Sequence, residues 1–307
     1  MLRFTLTRMF SALLVIVGVF LLTFLLLRAA PGRPGEGMDQ IRDEVRWNQA
    51  RRLGTDRPLG THFVDTASAW LRGDFGRSLV RGEPVGDAIR RTWSVSLELG
   101  AYALVLALLL GVGGGLLTGF HEPSGTSRSL SLGALVVISL SVLGLGTLVR
   151  VILAGTGGFT LGGWDDPLDR LLPAAVLGVV YGAYLLEMVR ASTVEALRAP
   201  WVRAARARGV APTRLLLGHV LPGALIPMVE SLGPITARLL TGSFVVEVLF
   251  EVPGISRTFM DAAAGRDFPV ILGVVMVYTV TVTLLNTSLE VAHAALDPRL
   301  RSGEVPR

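Results

Sequence analysis

Residues 95–119 read VSLELGAYALVLALLLGVGGGLLTG, and Glu98 is the only charged residue in this stretch. About 20 apolar residues in a helix cross the hydrocarbon core of a bilayer, which is about 30 Å thick. The whole chain has the same character, because 51% of its 307 residues are hydrophobic and only 17% are charged. Soluble domains carry roughly 25% charged residues. The sequence therefore predicts an integral membrane protein and argues against an ordinary soluble enzyme.

Six apolar segments in all are long enough to cross a membrane. The predicted spans are 10–27, 95–119, 130–153, 171–189, 224–249 and 269–292. We expect an all-α integral membrane protein whose six transmembrane helices form one domain over residues 1–307. The first segment is expected to be retained as an anchor, because its apolar run is longer than the roughly 7 to 15 residues of a signal-peptide core.

The arginines indicate which side of the membrane each connection occupies. All 29 basic residues are Arg. With the N-terminus inside, the short predicted outside loops carry only Arg170, Arg257 and Arg266, whereas residues 190–223 alone carry six; the long segment 28–94 is also rich in Arg. Basic residues favour the cytoplasmic side in short loops, whereas long loops cross regardless of charge. We therefore expect both termini in the cytoplasm and an extracytoplasmic segment over residues 28–94. This topology explains the net charge of +5 without a nucleic-acid partner.

Several kinds of chemistry lack the residues they need. The chain has no Cys and no Lys, so thiolate metal sites are excluded, and so is a phosphate-binding Walker loop, which requires a Lys. The four histidines fall in four different segments with no pair at helical spacing, which does not favour a metal site. We expect no catalytic residue, no bound metal and no cofactor in this chain.

Polar residues inside the predicted spans are candidates for a translocation path. Glu230 and Arg238 lie in the fifth span and Asn286 lies in the sixth. Placing such residues in a bilayer raises the free energy, so they usually face a cavity or a partner. A structural ion pair with a neighbouring helix is an equally good interpretation of Glu230 and Arg238. Three other charged residues are expected to reach the membrane interface from span ends: Arg150, Glu187 and Glu290.

Glycines recur at every fourth position in two spans. Gly111, Gly115 and Gly119 form one row, and Gly178 and Gly182 form another. Rows of small residues let helix backbones approach closely. We expect these rows to mediate packing, either within the chain or between subunits.

The most informative connection is cytoplasmic and reads WVRAARARG over residues 201–209. The pattern predicts a short helix that Gly209 ends in a left-handed conformation, with Pro212 beginning the next helix. A compact helical turn between two spans is suited to docking a partner. The alternative is a solvated basic loop that only enforces topology.

Residues in this connection carry a family resemblance. Arg203-Ala204-Ala205, then Gly209, then nine residues and His219-Val220-Leu221-Pro222 resembles the EAA loop of ABC-importer permeases. Arg203 and His219 stand where the general motif has Glu and Ile. Further similar segments lie in the same order along the chain, at 53–59, 73–78, 240–247, 253–254, 266–269 and 297–299. The chain resembles the first permease subunit of dipeptide, oligopeptide and nickel importers.

This resemblance implies a permease of the bacterial plasma (inner) membrane. Such a permease pairs with a second, homologous permease and sits on two ABC ATPase subunits, which hold the ATP and Mg²⁺. An extracytoplasmic solute-binding protein would deliver di- or oligopeptides, and nickel or another small solute is the alternative ligand. A secondary transporter that works without ATPases is the alternative from another class, and it would show broken spans or inverted repeats.

The resemblance also implies which residues couple the permease to an ATPase. They are Trp201, Arg203, Ala204, Ala205, Arg206, Ala207, Arg208 and Gly209. The arginines would pair with acidic groups of the ATPase. The small residues Ala204, Ala205 and Gly209 would allow close packing against it.

Overall fold

The computed structural model describes residues 2–30, 58–155, 162–240 and 244–296. Within these ranges the chain is helical apart from connections and an isolated β-bridge between Arg77 and Pro84. The helices are α1 (Leu2–Ala29), α2 (Leu59–Leu71), α3 (Val85–Leu108), α4 (Gly115–Phe120), α5 (Gly125–Ser139), α6 (Val142–Ala154), α7 (Pro167–Arg198), α8 (Pro200–Ala207), α9 (Pro212–Leu215), α10 (Leu221–Ala224), α11 (Ile226–Leu240), α12 (Phe244–Leu249), α13 (Ile255–Ala264) and α14 (Phe268–Leu296). Two π-helical segments, Leu109–Gly114 and Leu216–Val220, join α3 to α4 and α9 to α10.

The described helices confirm the predicted all-α membrane fold. Five helical stretches of the described chain are long and apolar enough to cross a membrane, and there are six if a bent helix pair is counted as one span. The fifth predicted segment contains α11 and α12, which flank residues outside the described ranges. Much of the extracytoplasmic segment predicted at 28–94 also lies outside them, because residues 31–57 are not described.

The third predicted span differs from a straight helix. Residues 130–153 fall on α5 and α6, which are bent by 102° relative to each other. Leu140 and Ser141 have extended backbone conformations, and the Ser141 hydroxyl accepts a hydrogen bond from the Gly144 N–H at 3.1 Å. Ser141 therefore begins a new helix as an N-cap. Hydropathy misses this break because the residues on both sides of Ser141 are apolar.

The chain divides into two compact units, and a single transmembrane domain over residues 1–307 stays a prediction. One unit consists of Met1–Ser96 and Pro253–Arg307, and the other of Leu97–Val252. The boundary between Ser96 and Leu97 falls within α3.

In the first unit, α1 packs along α14 and an aromatic cluster holds α2 against α1. The Phe20 and Trp70 rings meet edge to face at 5.7 Å, and Phe24 meets Phe63 in the same manner at 5.5 Å. Such edge-to-face pairs stabilise beyond the area they bury. The cluster explains why a helix from the connection after the first span stays against the spans of its own unit.

In the second unit, α4 and the π-helical segment before it pack closely against α7. A Cβ atom on Gly111 would lie 2.4 Å from the Leu185 Cβ, and one on Gly119 would lie 2.7 Å from the Thr193 Cβ. The second glycine row behaves in the same way, since a Cβ on Gly178 would lie 2.8 Å from the Leu106 Cβ. The glycine rows therefore serve packing within the chain, which is one of the two alternatives.

Candidate functional site

The predicted docking helix is α8, and a sharp turn separates it from α7. The long helix α7 ends at Arg198, and Ala199 takes an extended conformation with ψ 144° before Pro200 begins α8. A residue before proline is disfavoured in the helical region, whereas proline is well placed in the first turn of a helix. The Ala-Pro pair thus redirects the chain while leaving α8 attached to the end of a span.

Gly209 ends α8 as the pattern predicts. It has φ +78°, its N–H donates to the Arg206 carbonyl at 2.9 Å, and the Val210 N–H donates to the Ala205 carbonyl at 3.3 Å. These two bonds form a Schellman cap, in which a left-handed glycine satisfies the last helical carbonyls. Val210 also packs against the cluster that includes Ala205, which is the apolar contact that often accompanies this cap.

The loop 190–223 has a small apolar core of its own. Val202, Ala205, Leu215 and Val220 are almost completely buried. Partly buried residues from the end of α7, including Ala196 and Leu197, pack around them. Val202 and Ala205 are three positions apart, so they share one face of α8. The core holds α8 as a defined structural element attached to α7, which is unlike a solvated connection.

The opposite face of α8 is exposed and basic. Trp201 is 46% exposed. The exposed side chains on the rest of the helix and its cap are Arg203, Ala204, Arg206, Ala207 and Arg208. At 100° per residue, Arg203 and Ala207 point away from the buried face. The surface combines guanidinium groups, which pair well with carboxylates, and alanines, which let another backbone come close.

Ala205 has a different place from the one expected. Its side chain is 1% exposed and packs inside the loop core, so its small size serves the internal packing of the loop. Ala204 and Ala207 are the small residues that α8 presents outward. The alternation of Ala and Arg in α8 does not show which alanine points inward, because the burial of Ala205 depends on Leu215 and Val220, which follow later in the chain.

Two of the three candidate path residues share α11, and the third is on α14. Glu230 and Arg238 are both in α11, where Arg238 is exposed, and the side chain of Glu230 is outside the described residues. Asn286 is half-buried in α14, which belongs to the other unit. Their assignment to a path stays a prediction.

Charged residues expected at the membrane interface make specific contacts. Arg150 donates to the Leu249 carbonyl at the end of α12 and lies 3.3 Å from the Glu251 carboxylate. Glu187 accepts hydrogen bonds from Ser131 and Arg190. Sequence reasoning missed Ser131 and Glu251, because their partners lie 56 and 101 residues away along the chain. It also missed the pair of Arg190 with Glu187, although their spacing of three residues on one helix is a local signal for such a contact. In the part of the chain that the structure describes, no group of three or more acidic or histidine side chains is arranged to hold a metal ion.

Comparison with known proteins gives a consistent result over almost the whole chain. Residues 102–302 match the family described as binding-protein-dependent transport system inner membrane component. The chain is 30% identical over 303 residues to the dipeptide transport system permease protein DppB of Bacillus subtilis (strain 168), with 98% of each chain covered. It is also 30% identical to the oligopeptide transport system permease proteins OppB of Haemophilus influenzae and Escherichia coli (strain K12), covering 98% of this chain and 100% of each relative.

The match contains the loop 190–223 and all predicted spans except the first and the beginning of the second. Full-length similarity to permease subunits and an all-helical membrane architecture agree with each other. The chain therefore belongs to the family of inner-membrane components of binding-protein-dependent transport systems, and it is a multi-pass membrane permease.

Proposed function

We propose that the chain is one of two permease subunits of an ABC importer that takes up di- or oligopeptides. A solute-binding protein delivers the peptide from outside, and two ATPase subunits bind ATP and Mg²⁺ and supply the driving force. Full-length similarity to dipeptide and oligopeptide permeases supports the peptide assignment. In this proposal the chain performs no chemistry and forms half of the translocation path, to which Glu230, Arg238 and Asn286 are the polar contributors.

One contact supports the proposal that both termini face the cytoplasm. The Arg8 guanidinium near the start of α1 lies 3.1 Å from the Glu290 carboxylate near the end of α14. The beginning of the first span and the end of the last span are thus at the same end of their unit. The arginine distribution favours the cytoplasm for that end.

The observation that carries the proposal is the construction of α8. The helix is fixed by an internal core and a glycine cap, yet its outer face is left exposed with three arginines and two alanines. An exposed helix of this kind, attached rigidly to a span, suits a cleft on a cytoplasmic ATPase. We infer that the arginines pair with carboxylates of the ATPase while Ala204 and Ala207 allow close approach.

Movement then follows from the connection of α8 to the bundle. When ATP closes the ATPase dimer, α8 is displaced together with the ends of the fourth and fifth spans, α7 and α11. This is a rigid-body switch between two arrangements of the bundle, and it is driven by contacts that differ between them.

Purification from the native host in a mild detergent, followed by proteoliposome uptake assays, tests the assignment. We expect a second six-span permease and Walker-loop ATPases to copurify, and labelled tripeptide uptake to require ATP and the binding protein. Nickel uptake without peptide uptake would overturn the ligand assignment. Uptake by the chain alone, without ATP, would overturn the importer and favour a secondary transporter.

Charge reversal tests the α8 surface more narrowly. Arg203→Glu combined with Arg206→Glu should abolish ATPase copurification, because carboxylates would then face carboxylates. Arg128→Glu is the matched control, since Arg128 is an exposed arginine in another predicted cytoplasmic connection. Equal loss of the ATPases in both variants would show that α8 has no special role.

A further inference from the structure

Arg190 lies at the centre of a polar cluster in the second unit. Its Nε donates to the Glu187 carboxylate at 3.0 Å, and its Nη1 donates to the Glu122 carboxylate at 3.1 Å. The other oxygen of Glu187 accepts a hydrogen bond from the Ser131 hydroxyl at 2.5 Å. One guanidinium group therefore joins two carboxylates, and through Glu187 it is connected to a hydroxyl group.

The cluster joins α7 to the turn between α4 and α5 and to α5 itself, which lie 56 to 68 residues away in sequence. Arg190 and Glu187 are on α7, Glu122 lies in the turn between α4 and α5, and Ser131 is on α5. The side chains of Arg190 and Glu187 are only 24% and 17% exposed. Charges that are partly withdrawn from water persist only when they are paired, so these contacts constrain the geometry more than surface ion pairs would.

Steric contacts surround the cluster and make the same connection. A Cβ on Gly115 would lie 2.6 Å from the Val189 Cβ, which shows how closely α4 lies against α7. The Ser127 hydroxyl on α5 donates to the Thr118 carbonyl on α4 at 2.7 Å. The last turns of α4, the first turns of α5 and residues 185–193 of α7 therefore form one tightly packed block.

This block is directly connected to α8. From Arg190, the helix α7 continues without interruption to Arg198, and Ala199 alone separates it from α8. Residues at the end of α7 also belong to the apolar core that holds α8. A displacement of α8 is thus transmitted to the part of α7 that carries Arg190.

We propose that Arg190 is a positioning residue that makes the adjacent ends of the second, third and fourth spans move as one body with α8. The inference rests on the proposed function, since it assumes that α8 receives the movement of an ATPase. Arg190 transmits that movement through Glu122 to the turn between α4 and α5, and through Glu187 and Ser131 to α5. If the contacts of Arg190 with Glu122 and Glu187 are lost, ATP hydrolysis continues, but the ends of the spans no longer move together.

Bonding both carboxylates at once requires an arginine at position 190. A guanidinium presents several N–H donors in a fixed plane and can bond two carboxylates at once, whereas a lysine ammonium is a compact point charge. Arg190→Lys should therefore retain the charge but hold only one carboxylate well. It should rescue part of the function that Arg190→Gln loses.

The test measures peptide uptake and ATP hydrolysis on the same proteoliposomes, made from the complete complex with its binding protein. For Arg190→Gln we expect the peptide transported per ATP hydrolysed to fall by about threefold to tenfold, with Arg190→Lys in between. Arg150→Gln is the matched control, because Arg150 is also partly buried and paired with a glutamate, yet it makes no contact with this cluster. Its ratio should equal that of the unmodified complex.

A variant in which the charges of the cluster are all removed separates loss of folding from loss of coupling. If Arg190→Gln does not assemble, the triple variant Glu122→Gln, Glu187→Gln, Arg190→Gln removes the uncompensated carboxylates, and it should assemble with the same low ratio. A ratio equal to that of the unmodified complex, in either variant that assembles, overturns the role of Arg190. Absence of ATP-dependent uptake by the unmodified complex would instead overturn the proposed function.

Discussion

Gly115 is the position where the packing of the permease can be tested most cleanly. A Cβ at this position would lie 2.6 Å from the Val189 Cβ and 2.8 Å from the Leu186 carbonyl oxygen. The carbonyl belongs to the backbone of α7 and cannot rotate away. Gly115→Ala should therefore force α4 and α7 apart.

The size of the effect follows from these distances. Non-bonded carbon atoms are most stable at about 3.5–4.0 Å, so the two helices must separate locally by roughly 1 Å. Overpacking of this kind costs about 1–3 kcal/mol. Gly113 provides the control, because a Cβ there would meet no atom within 4 Å. Both substitutions gain the same helix propensity of alanine over glycine, so that gain cancels when the two variants are compared.

The assay is the thermal unfolding of the purified chain in detergent, followed by tryptophan fluorescence. One kcal/mol changes the Tm of a chain of 150–250 residues by about 2–4 °C, and that of a longer chain by less. Gly115→Ala should therefore unfold about 1–9 °C below Gly113→Ala. Equal Tm values for the two variants would refute the conclusion that the glycine row packs within the chain, and would favour a contact between subunits.

Two further substitutions have equally direct controls. Asp267 is buried and accepts hydrogen bonds from the Ser78 hydroxyl and the Leu79 and Val80 N–H groups. Asp267→Asn should therefore lower the free energy of unfolding by about 1–3 kcal/mol, whereas Asp165→Asn, at an exposed position outside the helices, should not change it in the same unfolding assay. Gly209→Ala places a side chain at φ +78°, which strains the backbone by about 1–2 kcal/mol, and it should speed trypsin cleavage of α8 by about fivefold to thirtyfold. Gly218→Ala is the control, because a Cβ there meets no atom within 4 Å, and equal acceleration in both variants would contradict a special role for the cap.

The sequence allowed the helical spans and the end of α8 to be predicted because both depend on local signals. Apolar runs of sufficient length have few alternatives to a membrane helix. Gly209 ends α8 through its own backbone preference, so this limit could be predicted; the start of α8 at Pro200 was not predicted, although proline is favoured in the first turn of a helix. The same reasoning placed Arg203 and Arg206 on an exposed basic helix.

Other features depend on contacts that no local pattern reveals. The bend between α5 and α6 depends on Ser141 within an apolar run. Whether the glycine row met its own chain or another subunit depended on the position of α7. By sequence, Arg190 resembles the other cytoplasmic arginines, and its contact with Glu122 lies 68 residues away along the chain. The glycine row and Arg190 thus depend on partners that are distant in sequence.

The contact between α8 and an ATPase is the central claim, and a site-specific crosslink tests it most directly. The chain contains no Cys, so Ala207→Cys introduces a unique thiol on the exposed face of α8, to which a photoactivated crosslinker can be attached. We expect illumination of the assembled complex to join this position to a Walker-loop ATPase, identified by mass spectrometry. The same label at Leu143, an exposed apolar residue of α6, should not capture it. Capture of the ATPase from Leu143 but not from Ala207 would contradict the account.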